Sequence, residues 1–353
     1  MPPNPSKKGD IKMRTLIIST NVFTLPPRGY SGLETLVFNL NEGLHRKGHK
    51  VSVVAPNGSR LSEGIELIGT DQNEDEEKSW QRYKGRLESS EWEVVVDASW
   101  QRWATMSNVG REPQIPIVNW HHTDPSVYQT LAPVPHNMWV GLSKSHAENL
   151  GRHFRIPTRY VYNGIDTQFY RSDSRPRNNH WLWVARYTYE KGAMEVINLA
   201  KKLKVVVDMY GDTSIVGDQG YVLACRNAAD GLYAKVNPGI SREETVNQYS
   251  THKGYLYWLN WSEPFGLSIL EAQACGCVPI VSRRGAAPEL IKHGETGFLV
   301  DTLEEMDELV KRDAVREINL ETMRKHVESR FSIERFVDNW EKLLIQVVSG
   351  ERW

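Results

Sequence analysis

Thr15-Leu-Ile-Ile-Ser19 is followed by a segment holding Pro26, Pro27, Gly29 and Gly32. Then come Leu33-Glu-Thr-Leu-Val-Phe-Asn-Leu-Asn-Glu-Gly-Leu44, Gly48 and Val51-Ser-Val-Val-Ala55. The two short apolar runs have the composition of buried parallel strands. Leu36, Val37, Leu40 and Leu44 fall on one face of a helix over residues 33–47, which Gly48 ends. Strand, helix and strand form a βαβ unit, the building block of doubly wound sheets.

The same rhythm continues outward. The acidic stretch over residues 71–78 reads as a solvated loop leading into a helix. Strands are expected over 93–98, 115–119, 139–143 and 159–162. The turn Asn163-Gly164-Ile-Asp166 and the polar stretch 171–179 then interrupt the pattern. It restarts with strands over 181–185, 205–210, 255–258 and 278–282 and a helix over 193–202. At 353 residues the chain has room for two domains. The expected fold class is α/β: two Rossmann-like, doubly wound domains facing across a cleft, where ligands usually bind. The expected divisions are a disordered leader over 1–12, a first domain over 13–168 and a second over 169–334. A terminal helical segment over 335–353 packs back on the first.

Composition narrows the function. With 43 Lys and Arg against 44 Asp and Glu, there is no electrostatic case for nucleic acid as partner. Cys225, Cys275 and Cys277 are too few and too odd for a disulfide framework and suit a reducing compartment. Cys275-Gly-Cys277 lacks the second pair or the nearby His that a metal site needs, so buried packing is the better reading. No apolar run approaches the length of a membrane span and no secretory signal opens the chain, so the expected location is cytoplasmic.

The strongest chemical signal is Glu263-Pro-Phe-Gly-Leu-Ser-Ile-Leu-Glu271. Glu263 lies in a loop after a strand, and Glu271 lies just over a turn into the helix that starts near Gly266. Gly266 lets the backbone approach a ligand, and a helix N-terminus offers N–H groups and a positive dipole to a diphosphate. An ordinary loop and helix with two surface glutamates is the plain alternative. Arg186 and Lys191, with Gly192, follow the first strand of the second half; two cations there can neutralise a departing diphosphate. The sequence has no D-x-D triplet of the kind that holds a divalent ion on donor phosphates, and no G-x-G-x-x-G.

The run from Glu263 to Val300 resembles the signature of the family 4 glycosyltransferases. It carries Glu271-Ala-Gln-Ala-Cys-Gly276, Pro288-Glu289 and Gly294-Glu-Thr-Gly297-Phe-Leu-Val300. The resemblance extends over nearly the whole chain and is most specific between Trp181 and Val300. It implies the GT-B architecture and metal-independent, retaining transfer of a hexose from a UDP- or GDP-type nucleoside-diphosphate sugar. No cofactor is expected; the donor is a co-substrate, and the acceptor is a carbohydrate, a lipid or a small molecule. Carried over residue by residue, Glu263 holds the donor sugar, Glu271 the ribose, and Arg186 and Lys191 the diphosphate. Phe265, Gly266 and Leu267 grip the nucleotide sugar through their backbone, and Gly211 lies close to the base. Gly29-Tyr-Ser-Gly32-Leu-Glu34 resembles the family's glycine-rich loop, with Gly32 near the donor phosphates. In Asn119-Trp120-His121-His122, His121 is the better match to the active-site histidine and His122 its competitor. The family's Gly-Gly before Pro-Glu appears here as Gly285-Ala286-Ala287.

Two other readings stay open, a sugar-nucleotide epimerase on this architecture and a non-catalytic subunit that binds the same donor. Lys144, Arg152, His153, Arg155 and Arg159 form a basic patch, read either as a solvated helix face or as a peripheral contact with the inner face of a membrane.

Overall fold

The computed structural model describes residues 11–29, 31–89, 91–109, 111, 114–125, 138–172, 175–211 and 219–353. The first ten residues of the expected leader lie outside the described residues. The chain divides into two units. One comprises Met1–Leu142, Ala147–Val161 and Phe336–Trp353; the other comprises Ser143–His146 and Tyr162–Arg335.

The first unit begins with β1 (Arg14–Ile18), α1 (Gly32–Arg46) and β2 (Lys50–Pro56), the βαβ unit expected from the opening run. It continues with β3 (Glu66–Thr70), α2 (Glu76–Glu88), β4 (Val94–Asp97), α3 (Trp103–Ser107), β5 (Ile117–Trp120) and β6 (Met138–Gly141). Helix α4 (Lys144–Phe154) and β7 (Thr158–Tyr160) follow. The seven strands form a parallel sheet in the order β3-β2-β1-β4-β5-β6-β7. Asp75 starts α2 where the acidic loop was expected to enter a helix; its side chain accepts from the N–H of Glu77. Leu16, Ile18 and Val95 pack with Trp80, Tyr83 and Leu87 of α2, a core made by alternate strand residues meeting one helix face.

The second unit carries β8 (Trp181–Val184), α5 (Ala193–Leu203), β9 (Val207–Gly211), α6 (Gln219–Ala228), β10 (Ala234–Pro238), α7 (Arg242–Thr251) and β11 (Gly254–Tyr257). Then come α8 (Leu267–Ala274), β12 (Val278–Ser282), α9 (Ala287–Leu290), β13 (Phe298–Val300), α10 (Leu303–Lys311) and α11 (Leu320–Phe331). Its strands form a second parallel sheet, ordered β10-β9-β8-β11-β12-β13. The carbonyls ending α7 and α8 meet half-buried cations. Arg177 donates to the carbonyls of Tyr249, His252 and Cys275, and Arg324 to those of Ala274, Tyr170 and Thr167. All three cysteines are free and buried. Among the described residues no helix is long and apolar enough to cross a membrane.

The last helix, α12 (Ile333–Val348), returns the chain to the first unit from Phe336 onward. Trp340 and Phe336 lie 4.9 and 5.7 Å from the ring of Trp120. Lys47 and His49 reach Glu341 at 2.9 and 2.8 Å. Gly43 makes the contact of α1 with α12 close: a Cβ there would lie 2.3 and 2.7 Å from the two methyls of Val337. Valine is stiff at χ1 and cannot step aside. Gly43→Ala should therefore lower the unfolding free energy by about 1–3 kcal/mol through overpacking. The cost should shrink when Val337→Ala is present. Urea unfolding of the four chains measures this, and strictly additive costs would refute the contact.

Candidate active site

The second sheet reverses its order at β8. The chain runs outward from β8 to β9 and β10, then returns to lay β11 along the other side of β8. The carboxyl ends of strands flanking such a switch point are where open α/β sheets take ligands. Arg186 and Lys191 leave from β8, and Glu263 and Glu271 from β11. The glutamates flank the N-terminus of α8.

Glycine holds these two loops together. Gly192 has φ +62°, and a Cβ on it would lie 2.0 Å from the carbonyl oxygen of Trp258. Asn260 extends the seam, its N–H donating to the Glu190 carbonyl at 2.9 Å and its side chain to the Tyr189 carbonyl at 2.9 Å. Lys191 is thereby delivered to Glu263: Nζ lies 2.5 Å from Oε2, with both side chains buried. The indole N–H of Trp261 donates to the same oxygen at 3.0 Å, and the Tyr257 hydroxyl does so at 3.4 Å. Lys191 Nζ also lies 4.6 Å from the Trp261 ring. A buried pair of this kind adds little net stability, because each charge has lost its water. It does fix the direction of the Glu263 carboxylate.

The main chain of Glu263 is held from the other side. Gly285 has φ +57°, and a Cβ there would lie 2.2 Å from the Glu263 carbonyl oxygen and 2.3 Å from its nitrogen. The N–H of Ala286 donates to the Glu263 carbonyl at 2.9 Å. This accounts for Gly285-Ala286-Ala287: only its first position needs glycine, and the two alanines are fully buried. Gly266, with φ +98°, starts α8. The Phe265 ring packs inward toward Tyr162 and Phe331, so only its backbone is placed to meet a ligand.

Glu271 is buried, and burial pushes its carboxyl up to about 7 against the pull of a hydrogen bond from Tyr170 and the charge of Arg242. Its Oε2 has no hydrogen-bond partner among the described residues. Arg186 is exposed. Gly211 ends β9 against the same loop, where a Cβ would lie 2.2 Å from the Ala185 carbonyl oxygen. Glu289 accepts from the N–H groups of Lys144 and Ser145 and from the Tyr162 hydroxyl at 2.8–2.9 Å. Lys191, Glu263, Gly266 and Leu267 thus form one constellation with Glu271 behind them, and Arg186 and Gly211 stand on the adjoining strand ends.

The first unit holds the remaining candidates. Gly32 opens α1, and Glu34 is buried, accepting from the hydroxyls of Thr20 and Ser31. His121 is fully buried with its ring 5.5 Å from Trp139 and 6.3 Å from Phe154, and its Nδ1 lies 3.1 Å from the Thr123 carbonyl. Its ring sits in the core. His122 is half-buried with its ring 4.4 Å from Trp120. Within the basic patch, Arg159 is engaged by Glu351 and lies 4.3 Å from the Trp353 ring.

Residues 165–320 match the family model described as "Glycosyl transferases group 1". That match covers the second unit from Ile165 to Leu320. The whole constellation around Glu263 lies inside it. The chain is 28% identical over 119 residues to the N-acetyl-alpha-D-glucosaminyl L-malate synthase of Bacillus anthracis, covering 32% of this chain and 31% of that one. It is 25% identical to an uncharacterised glycosyltransferase of Methanocaldococcus jannaschii, covering 78% and 82% of the two chains. The chain spans about a third of the length of the first curated relatives it matches. Among solved structures, the Anabaena protein HepE in complex with UDP-glucose superposes with a TM-score of 0.71 at 15% identity, covering 96% of this chain and all of that one. The fold is that two-domain α/β GT-B type.

Reading the sequence did not find Tyr257 and Trp261, which share the Glu263 oxygen with Lys191. Nor did it show that Gly285 carries Glu263 on its back. The spacing of Trp261 two residues before Glu263 was the available signal; the Gly285 contact crosses 22 residues of chain and has none.

Two outcomes follow for this constellation. Gly285→Ala should displace the Glu263 main chain and cost about 1–3 kcal/mol, a larger loss than Ala286→Gly gives; thermal melts of the two variants check this. Because Glu271 binds its proton more tightly folded than unfolded, its stabilising contribution is complete below about pH 4.5 and lost as pH rises through about 7. Glu271→Gln should flatten that slope, so its gain in Tm over wild type grows from pH 5 to pH 8. A constant difference across that range would overturn the assignment.

Proposed function

We propose that the chain is a retaining, metal-independent glycosyltransferase that moves a hexose from a nucleoside-diphosphate sugar to a carbohydrate, lipid or small-molecule acceptor. One observation carries this reading: Glu263 is clamped by Lys191, Trp261 and the Gly285-Ala286 turn at the N-terminus of α8. Glu271, behind it, keeps a buried oxygen unpartnered. A buried acceptor without a donor is costly, and a ribose hydroxyl would satisfy it. The helix N-terminus suits a diphosphate. The structural likeness to HepE, which binds UDP-glucose, supports a UDP-type donor.

In this reading Glu263 holds the donor sugar's hydroxyls. Arg186 and Lys191 offset charge developing on the diphosphate as the anomeric C–O bond lengthens. The acceptor hydroxyl attacks the anomeric carbon from the face the diphosphate leaves, and a phosphate oxygen takes its proton. Configuration is retained. The resemblance gives His121, through its ring or its backbone, the part of stabilising the cationic sugar. Fixed protein cations and the helix dipole do the work a divalent ion performs elsewhere.

A panel of nucleotide sugars scored by thermal shift should single out the donor, since a ligand that binds the folded chain raises Tm by mass action. With that donor and its acceptor, Glu263→Ala or Lys191→Ala should lower turnover by at least ~100-fold. EDTA should leave it unchanged, and the product's anomeric proton should report retention by NMR. Near-wild-type turnover in either variant would remove the roles given. Inversion, metal dependence, an epimerised sugar nucleotide or donor binding without transfer would each overturn the corresponding part.

A further inference from the structure

At the amino-terminal end of the second sheet, away from the donor loops, three side chains of metal-binding type meet. His180 stands just before β8, Asp208 is the second residue of β9, and His252 lies between α7 and β11. Asp208 Oδ2 lies 2.7 Å from His180 Nδ1 and 3.0 Å from His252 Nε2. The candidate ligand atoms lie within 4.8 Å of one another. Asp208 Oδ1 faces Lys235 at 3.4 Å, which leaves Oδ2 for the two rings. The His252 side chain is 3% exposed and that of His180 36% exposed, so the cluster is closed on one side and open on the other.

The orientation of His252 is the telling feature. Its Nδ1 lies 2.7 Å from the carbonyl oxygen of Gln248, which can only accept. Nδ1 therefore carries a proton. In a neutral ring this leaves a bare lone pair on Nε2 facing a carboxylate oxygen at 3.0 Å, two acceptors with no hydrogen between them. Something positive belongs there, either a second ring proton or a metal ion. A histidine that donates one ring N–H to a backbone carbonyl and points the other nitrogen at a shared centre is the arrangement metal ligands take.

We propose that His180, Asp208 and His252 bind one divalent transition-metal ion of the zinc class. The ligands are His180 Nδ1, Asp208 Oδ2 and His252 Nε2, with water on the side left open at His180. Imidazole and carboxylate together suit zinc, nickel or cobalt rather than calcium or magnesium. Bonds of about 2.0–2.2 Å in a tetrahedral arrangement set ligand atoms about 3.3 Å apart, so each nitrogen needs to stand only a few tenths of an ångström farther from Asp208 Oδ2 than its present 2.7 or 3.0 Å. The ion would staple the entry to β8, the body of β9 and the entry to β11. It stands a strand's length, roughly 13 Å, from the loops bearing Lys191 and Glu263. Its role is to stabilise the unit, so it is separable from metal-free transfer chemistry.

The test uses the untagged full chain, stripped with EDTA and dialysed. Titration calorimetry with ZnCl₂ should give one ion per chain. Zinc should raise Tm, and a cobalt(II) form should show the visible bands of low coordination. Asp208→Asn and the half-exposed His180→Ala should each weaken zinc binding by at least about 100-fold. Lys235→Ala, which removes a competing cation, should bind zinc as tightly or more so. Circular dichroism confirms that the variants are folded, and His180→Ala, at a partly exposed position outside the strands, serves if Asp208→Asn is not. No heat and no change in Tm up to about 1 mM zinc would overturn the site and leave a protonated His252 as the positive group. Unchanged stoichiometry and affinity in His180→Ala would overturn it equally.

Discussion

The geometry around Glu263 depends on one steric constraint, the passage of the 283–286 turn directly behind its main chain. Two peptide segments approach there more closely than any side chain permits, and Gly285 takes a left-handed conformation to allow it. With the backbone pinned, the Glu263 carboxylate can be aimed by groups that would otherwise fail to hold a mobile loop: an ammonium, an indole N–H and a phenol. An ion pair alone would not achieve this, since two buried charges can rotate together. It is the fixed peptide that turns a favourable contact into a direction.

How much of this was legible in the sequence depends on how local the cause is. The central strands β1, β2, β4, β8 and β12 are apolar runs because both faces are covered, and they lie where the runs predicted them. Three strands escaped notice, β3, β10 and β13, and each is at a sheet edge. Glu66-Leu-Ile-Gly-Thr70 and Ala234-Lys-Val-Asn-Pro238 are half exposed and mixed in composition, and Phe298-Leu-Val300 is only three residues long. An edge strand is defined by its neighbour, so its own residues say little.

The candidate site divides in the same way. Glu263, Gly266 and Glu271 stand within nine residues and declare themselves by spacing. Lys191 was read from its place after β8 as a cation for a diphosphate, but its pairing with Glu263, 72 residues away, left no signal. His121 follows β5 as its motif suggests, and its ring lies 5.5 Å from that of Trp139 and 6.3 Å from that of Phe154. Glu34 in the glycine-rich loop is occupied by two hydroxyls of its own unit. Polarity in a sequence marks a need for a partner and does not say whether that partner is protein or ligand.

The two guanidinium groups behind α8 have a mechanical meaning. Arg324 and Arg177 grasp the last carbonyls of that helix, and Arg177 grips the end of α7 with the same hand. The rear of α8 is thus anchored to a neighbouring helix, while its front begins at the left-handed Gly266. With its last turn tied to α7 in this way, α8 takes the position of its first turn from a fastening at its opposite end.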